Sequence, residues 1–220
     1  MISIAIDGPA GAGKSTIARR VAQKLGYLYV DTGALYRAIA LHMLRAGKNP
    51  ASPEEVIPQL EAVEVSLRYV EGEQQVLLGA ENVSESIRTP EVAAAASKVS
   101  AIPRVREFLL SLLRDIAEQN DVVMDGRDIG TVVLPHAQVK IFLTASLEER
   151  ARRRWKELLE KGSADFGTVL ADVKKRDEQD STRAIAPLAQ AADAVLVDTT
   201  GITLEQSVDR MLAVIRERLS

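Results

Sequence analysis

Nine consecutive residues, Gly8-Pro9-Ala10-Gly11-Ala12-Gly13-Lys14-Ser15-Thr16, bring together the types and spacing that phosphate chemistry needs. Gly8, Gly13, Lys14 and Ser15 occupy the defining positions of the GxxxxGK[ST] pattern, and the apolar run Ile2-Ser3-Ile4-Ala5-Ile6 leads straight into it. Glycines at 8, 11 and 13 let the backbone curl until successive N–H groups face phosphate oxygens, and a helix starting near Lys14 adds its positive end. Lys14 is expected to reach the β- and γ-phosphates of a bound nucleoside triphosphate. The Ser15 hydroxyl is expected to ligate a magnesium ion bridging them.

Two acids end apolar runs and so qualify to support that ion: Asp125, after Val122-Val123-Met124, and Asp31, after Tyr27-Leu28-Tyr29-Val30. Either could instead cap a helix or turn, and the sequence leaves the choice open. In Asp125-Gly126-Arg127-Asp128-Ile129-Gly130, Arg127 can fork onto a phosphate while Asp128 accepts from an exocyclic amine or a hydroxyl. The end of a strand is where open α/β sheets bind ligands. Farther along, Arg150 and Arg154 lie four apart and are candidates to clamp a transferred phosphoryl group. Glu148 with Arg152 and Glu149 with Arg153 form i,i+4 pairs that can simply decorate a solvated helix. Arg176, Asp180 and Arg183 share one face if their helix persists, which suits a sugar hydroxyl beside a phosphate or, equally, a surface ladder. His42 and His136 stand in no metal-ligand spacing.

The elements that must hold these residues are legible from periodicity. The spacing predicts a helix after Lys14 closed by Gly26, a second from about Gly33 to Arg45, and buried strands at Val122–Met124, Val139–Leu143 and Ala194–Val197. Helical segments between the strands give an α/β fold with a parallel sheet of about five strands. Between Val63 and Val83, alternating Val65, Leu67 and Tyr69, the turn Glu71-Gly72-Glu73 and Gln75-Val76-Leu77-Leu78 predict an antiparallel hairpin with one wet face. A helix around Glu91–Ser100 follows. Ser52-Pro53-Glu54-Glu55 reads as a capping box, Pro103 as a helix start, and Thr203-Leu204-Glu205-Gln206 as the opening of the last helix. Ser146 caps an arginine-rich helix that Gly162 breaks, and a second basic helix carries Lys174-Lys175-Arg176. The pair is a candidate mobile lid.

Composition bounds the rest. The 220 residues, 46% hydrophobic and 27% charged, suffice for one α/β core with inserted segments. A net charge of −3 argues against a nucleic-acid polymer as partner, and no apolar run is long enough for a membrane span. There is no cysteine, hence no disulfide framework or thiolate metal site, as suits a reducing compartment. The first strand starts at Ile2 without a basic and apolar leader, so the expectation is a cytoplasmic protein, with a monomer as the default.

Six motifs, in order, resemble the bacterial cytidylate kinase family. They are the loop GPAGAGKST, Asp31-Thr32-Gly33-Ala34-Leu35-Tyr36-Arg37, Ile87-Arg88-Thr89-Pro90-Glu91-Val92, Pro103-Arg104-Val105-Arg106, Asp125 through Val133, and Arg176-Asp177-x-x-Asp180-x-x-Arg183-Ala184. The resemblance implies a P-loop NTPase fold of the nucleoside monophosphate kinase kind. A single kinase domain of 1–220 would have its core in 1–58, 104–147 and 186–220, a monophosphate-binding insert at 59–103 and a lid at 148–185. It implies transfer from ATP, with Mg2+, to CMP or dCMP. Thr32, Ser97, Arg106 and Asp128 would read the base. Arg37 and Arg127 would hold the acceptor phosphate, and Arg176, Asp180 and Arg183 the ribose side, with Tyr36 in the same substrate set. Lys14, Arg127, Arg150 and Arg154 would serve the transfer. Position 32 is threonine where some members have serine, and both supply a hydroxyl. An acceptor such as Asp128 can take a proton from the cytosine amino group, whereas uracil would oppose it with a carbonyl. Relatives acting on adenylate carry Asp-Gly-Phe-Pro-Arg in place of Asp125-Gly126-Arg127-Asp128. The guanine-reading Asn-Lys-x-Asp of GTPase switches is missing.

Overall fold

The uninterrupted apolar runs become strands of one parallel sheet in the computed structural model, which describes residues 1–160 and 162–220. In chain order the elements are β1 (Ser3–Asp7), α1 (Lys14–Leu25), β2 (Leu28–Asp31), α2 (Thr32–Arg45) and the single-turn α3 (Pro53–Val56). Next come β3 (Val65–Val70), β4 (Glu73–Leu78), β5 (Glu81–Asn82), α4 (Pro90–Val99) and α5 (Pro103–Gln119). The remainder is β6 (Val122–Gly126), β7 (Val139–Thr144), α6 (Leu147–Leu159), α7 (Phe166–Thr182), β8 (Val195–Asp198) and α8 (Leu204–Leu219). The chain folds as two compact units, one of residues 1–28 and 120–220 and one of residues 29–119.

The five-stranded sheet has the order β2-β6-β1-β7-β8. β1 lies at its centre, parallel to both β6 and β7, and β8 runs parallel to β7. Ile4, Ala5, Ile6, Val122, Val123 and Met124 are fully buried, as continuous apolar strands covered on both faces must be. The register sets Asp7 opposite Gly126, so the end of β1 and the end of β6 lie side by side. α1 and α8 pack together in this unit, through such residues as Ile17, Val21, Met211 and Ile215 on their buried faces. α8 opens where expected, with Thr203 and Gln206 making a reciprocal capping box.

α6 and α7 form a helical pair. Ala151, Val169 and Val173 make its small core, flanked by Trp155 and Phe166 edge to face at 5.9 Å. The Trp155 indole N–H donates to Ala164 O at 2.8 Å. Ser146 caps α6 by accepting from Glu149 N.

In the other unit β3, β4 and β5 form a separate antiparallel sheet. The alternation of half-buried and exposed residues along β3 is the wet-faced hairpin that the sequence predicts. β5 was not expected: Glu81 and Asn82 carry no strand pattern and are paired through the β4 backbone after a left-handed turn at Gly79 (φ 58°). Leu35, Ile39 and Met43 of α2 are buried, as are Val92 and Val99 of α4, and the two helices pack together.

Two local predictions change. α2 starts one residue early, at Thr32, because the Asp31 side chain accepts from Ala34 N. Ser52 makes no capping box. Its hydroxyl bonds Glu54 while its backbone carbonyl takes the N–H groups of Glu55 and Val56, and Glu55 reaches Asn49 N instead. The carbonyl of Ser52 thus takes the N–H of Glu55 that its side chain would accept from in a capping box. Among the described residues no helix is long and apolar enough to cross a membrane.

Candidate active site

The loop between β1 and α1 turns on left-handed glycines, with φ of 74° at Gly11 and 83° at Gly13. Gly8 is required by crowding: a Cβ there would fall 2.0 Å from Leu143 O on the neighbouring strand β7. Gly13 stands at the N-terminus of α1, and Lys14 is its first helical residue. Lys14 is buried with Nζ donating to Pro9 O at 2.8 Å. Burial first, and then the guanidinium of Arg127, pull its ammonium down to about 7, with Asp125 and Asp180 opposing. A cation held this way among other cations is suited to a polyanion.

The choice between the two candidate acids is visible in their partners. Ser15 Oγ donates to Asp125 Oδ2 at 3.0 Å. Asp31 caps α2 and holds Arg37 Nη2 at 2.7 Å within the other unit. A hydroxyl and a carboxylate oxygen form a donor set that a hard cation accepts.

Beyond β6, Arg127 Nε donates to Asp180 Oδ2 at 2.7 Å, and Arg183 Nη2 to Asp128 Oδ1 at 3.4 Å. Burial raises the Asp180 carboxyl, but Arg127, Arg176 and Arg183 together outweigh it and hold the group below its ordinary value. Asp180 is only 7% exposed, so the trio of Arg176, Asp180 and Arg183 is no solvated ladder. α7 ends at Thr182, which leaves Arg183 in extended backbone where its Nε reaches Ala186 O at 2.5 Å.

The two clamp candidates are placed differently. Arg150 is buried and donates to Ala145 O at 2.9 Å and to Ala10 O of the phosphate loop at 3.0 Å, with Asp177 at 2.7 Å. Arg154 lies at the surface, its Nη1 donating to Glu157 at 2.9 Å. In the unit of residues 29–119, Thr32 is buried at the start of α2 and the Arg106 guanidinium stacks 5.5 Å over the Tyr36 ring while donating to Ser100 O. Ser97 is half-buried on α4.

A cytidylate kinase family model matches residues 4–217. A protein named cytidylate kinase from Caldanaerobacter subterraneus subsp. tengcongensis is 52% identical over 217 residues, 98% of this chain and 95% of that one. Another of that name, from Caldicellulosiruptor saccharolyticus, is 50% identical over 212 residues, 96% of this chain and 94% of its own. The chain belongs to the cytidylate kinase family. Among solved structures, an uncharacterized protein from Eubacterium ventriosum has the same fold, with a TM-score of 0.57 at 13% identity over 98% of both chains.

For a cytidylate kinase family member, three positions stand out that spacing did not single out. Arg153, read as half of a solvated i,i+4 pair, does bond Glu149, but its Nη1 also reaches Ala12 O of the phosphate loop at 3.2 Å and its Nη2 reaches Thr199 O at 2.8 Å. Nothing local distinguishes it from Arg150, Arg152 or Arg154. Asp177 is the carboxylate beneath Arg150. Asp7 ends β1 much as Asp125 ends β6, and that likeness was the available signal.

Proposed function

We propose that the protein transfers the γ-phosphoryl group of ATP to CMP and dCMP, giving ADP with CDP or dCDP. A phosphate oxygen of the acceptor attacks the γ-phosphorus in line while the bond to the β,γ-bridging oxygen breaks, with no phosphoenzyme. The observation that carries the reading is the register of β1 against β6, in a chain matched to cytidylate kinases along nearly its whole length. It pairs Gly126, which Arg127 and Asp128 follow, with Asp7, which the phosphate loop follows, within one sheet. Such transfer is mostly positioning and charge neutralisation.

In this reading residues Gly8 to Thr16 cradle the donor phosphates and Lys14 follows the charge onto the leaving oxygen. Arg127 and Arg37 hold the acceptor phosphate. Asp128 accepts from the cytosine amino group, with Thr32, Ser97 and Arg106 as further base contacts and Tyr36 alongside. Arg176, Asp180 and Arg183 serve the ribose side. Arg150 and Arg154 clamp the transferred group, and the exposed pair of Arg154 with Glu157 is weak enough for a phosphate to outcompete. Magnesium, held by Ser15 and supported by Asp125, would supply charge neutralisation at the phosphates. We assign the activity to a cytoplasmic monomer.

The test is ADP release with CMP, dCMP, UMP and AMP as acceptors. CMP and dCMP are expected to support turnover well above UMP and AMP. No CMP-dependent turnover would sink the reading.

A further inference from the structure

Asp7 carries a buried carboxylate for which none of the roles above has a use. It is 4% exposed at the C-terminal end of β1, immediately before Gly8. Its Oδ1 accepts from Ile129 N and its Oδ2 from Gly130 N, both at 2.7 Å. These two N–H groups open the wide helical turn Ile129–Val133, directly after Arg127 and Asp128. Asp128 itself has non-helical backbone (φ −147°, ψ 29°) and caps the turn, its carbonyl accepting from Val132 N at 2.9 Å and Val133 N at 3.1 Å while Asp7 takes the two N–H groups that follow it. One carboxylate therefore fixes the two peptides that follow Asp128, and it does so from the residue that starts the phosphate loop.

Its surroundings are tight and charged. A Cβ on Gly130 would meet Asp7 Oδ2 at 3.4 Å and the Lys140 methylenes at 3.2 and 3.3 Å. Asp128 and Lys14 are the ionised groups that act on Asp7. Lys140 directs its ammonium away, to Pro135 O and Asp193. Burial raises the Asp7 carboxyl to about 6 against the pull of the two N–H groups. An apolar side chain at the end of a central strand avoids that desolvation, so the acid is a costly choice if packing alone is needed.

We propose that Asp7 is a positioning residue for the acceptor: it anchors the Ile129–Gly130 peptides and through them sets Arg127 and Asp128 against the phosphate loop. This rests on the reading of Arg127 and Asp128 as acceptor ligands. The test is steady-state kinetics of Asp7→Asn, Gly130→Ala and Asp128→Asn with CMP and ATP varied separately. Asp7→Asn keeps one acceptor oxygen and turns an NH2 toward the other N–H, while Gly130→Ala strains the same contact from the backbone side. Each is expected to raise KM for CMP about tenfold, the scale of one lost buried hydrogen bond, with KM for ATP held within about twofold.

A purely structural role would move both KM values together or neither, and either result overturns the proposal. If Asp7→Asn does not fold, Gly130→Ala decides by the same criterion. If Asp128→Asn raises KM for CMP while the other two variants leave it unmoved, the proposal alone falls. If Asp128→Asn also leaves it unmoved, the acceptor reading of the turn has failed and the proposal falls with it.

Discussion

Residues 1–28 and 120–220 bury Asp7, Lys14, Asp125, Asp128, Lys140, Arg150 and Asp180, whereas residues 29–119 bury one charged side chain among those described, Arg106. In the first unit the ions face one another and loop carbonyls, as in Arg127 with Asp180 and Arg150 with Asp177 and Ala10 O. In the second, ion pairs such as Arg45 with Glu81 and Arg104 with Glu107 lie in solvent, and the interior is packed from Leu35, Ile39, Met43, Val92 and Val99. Desolvating charge is expensive, and a fold concentrates that expense where oriented charge has a use. The contrast agrees with the proposal that transfer chemistry belongs to the unit with the phosphate loop. In that proposal the other unit serves recognition, through Arg37 and the stacked Arg106 and Tyr36 among others.

Lys14→Met should break the contrast most severely. Removing the lysine proposed to serve the donor phosphates is expected to lower kcat about 10³-fold, with the dissociation constant for CMP changed less than about twofold. Calorimetric CMP binding beside stopped-flow turnover measures the split. A comparable loss of CMP affinity would mean that the two functions are not separated in this way.

Arg150→Ala and Arg154→Ala sharpen the picture inside the charged unit. The first strands Asp177 and the Ala10 carbonyl, and is expected to cost about 10²-fold in kcat together with a lower Tm. The second removes a surface side chain and should lower kcat about tenfold at unchanged Tm. Equal effects on Tm would contradict the difference in burial.

Arg37→Ala probes the other unit. It should raise KM for CMP about tenfold and leave KM for ATP alone, since its guanidinium is engaged only with Asp31 at 2.7 Å among the contacts described. A kcat loss as large as that of Lys14→Met would place transfer chemistry in both units.

The smallest expected effect is a pH dependence. Asp7 titrates at about 6 in the folded chain against 3.8 for an unperturbed aspartate, so between these values the folded state holds the extra proton. Its contribution to stability is fully present below the lower value and is lost as pH rises through the higher one. Wild type should therefore gain on Asp7→Asn by up to about 3 kcal/mol between pH 7 and pH 4, in urea unfolding at each pH. A gap moving the other way would show that the Asp7 carboxylate is favoured by its two N–H donors over its burial.

Much of the fold was legible because its signals are local. Strands covered on both faces are near-continuous apolar runs, as Val122–Met124 is and as Val139–Leu143 is apart from Lys140; a half-wet hairpin must alternate, and Val65–Val70 does. β5 was illegible because two polar residues become a strand only through the backbone of β4. Ser52 matched a capping pattern, but its hydroxyl went to Glu54 and the Glu55 carboxylate to Asn49 N. Within the site, what Arg153 and Asp7 bind was illegible for a shared reason: their partners are backbone groups, Ala12 O and the N–H pair of Ile129 and Gly130, more than a hundred residues away.

By itself the sequence determined that a phosphate loop exists at residues 8 to 16 and that an α/β sheet presents it, since the glycine spacing, the lysine and the apolar runs are contiguous and act through neighbouring peptides. Motif order along the chain likewise pointed to the cytidylate kinase family. Tertiary structure alone decided that Asp125 and not Asp31 meets Ser15, that Arg150 is buried against the loop while Arg154 faces outward, and that Asp180 serves Arg127. Those outcomes depend on strand register and on which side chains lose their water, and neither is written in the spacing of residues along one helix or strand.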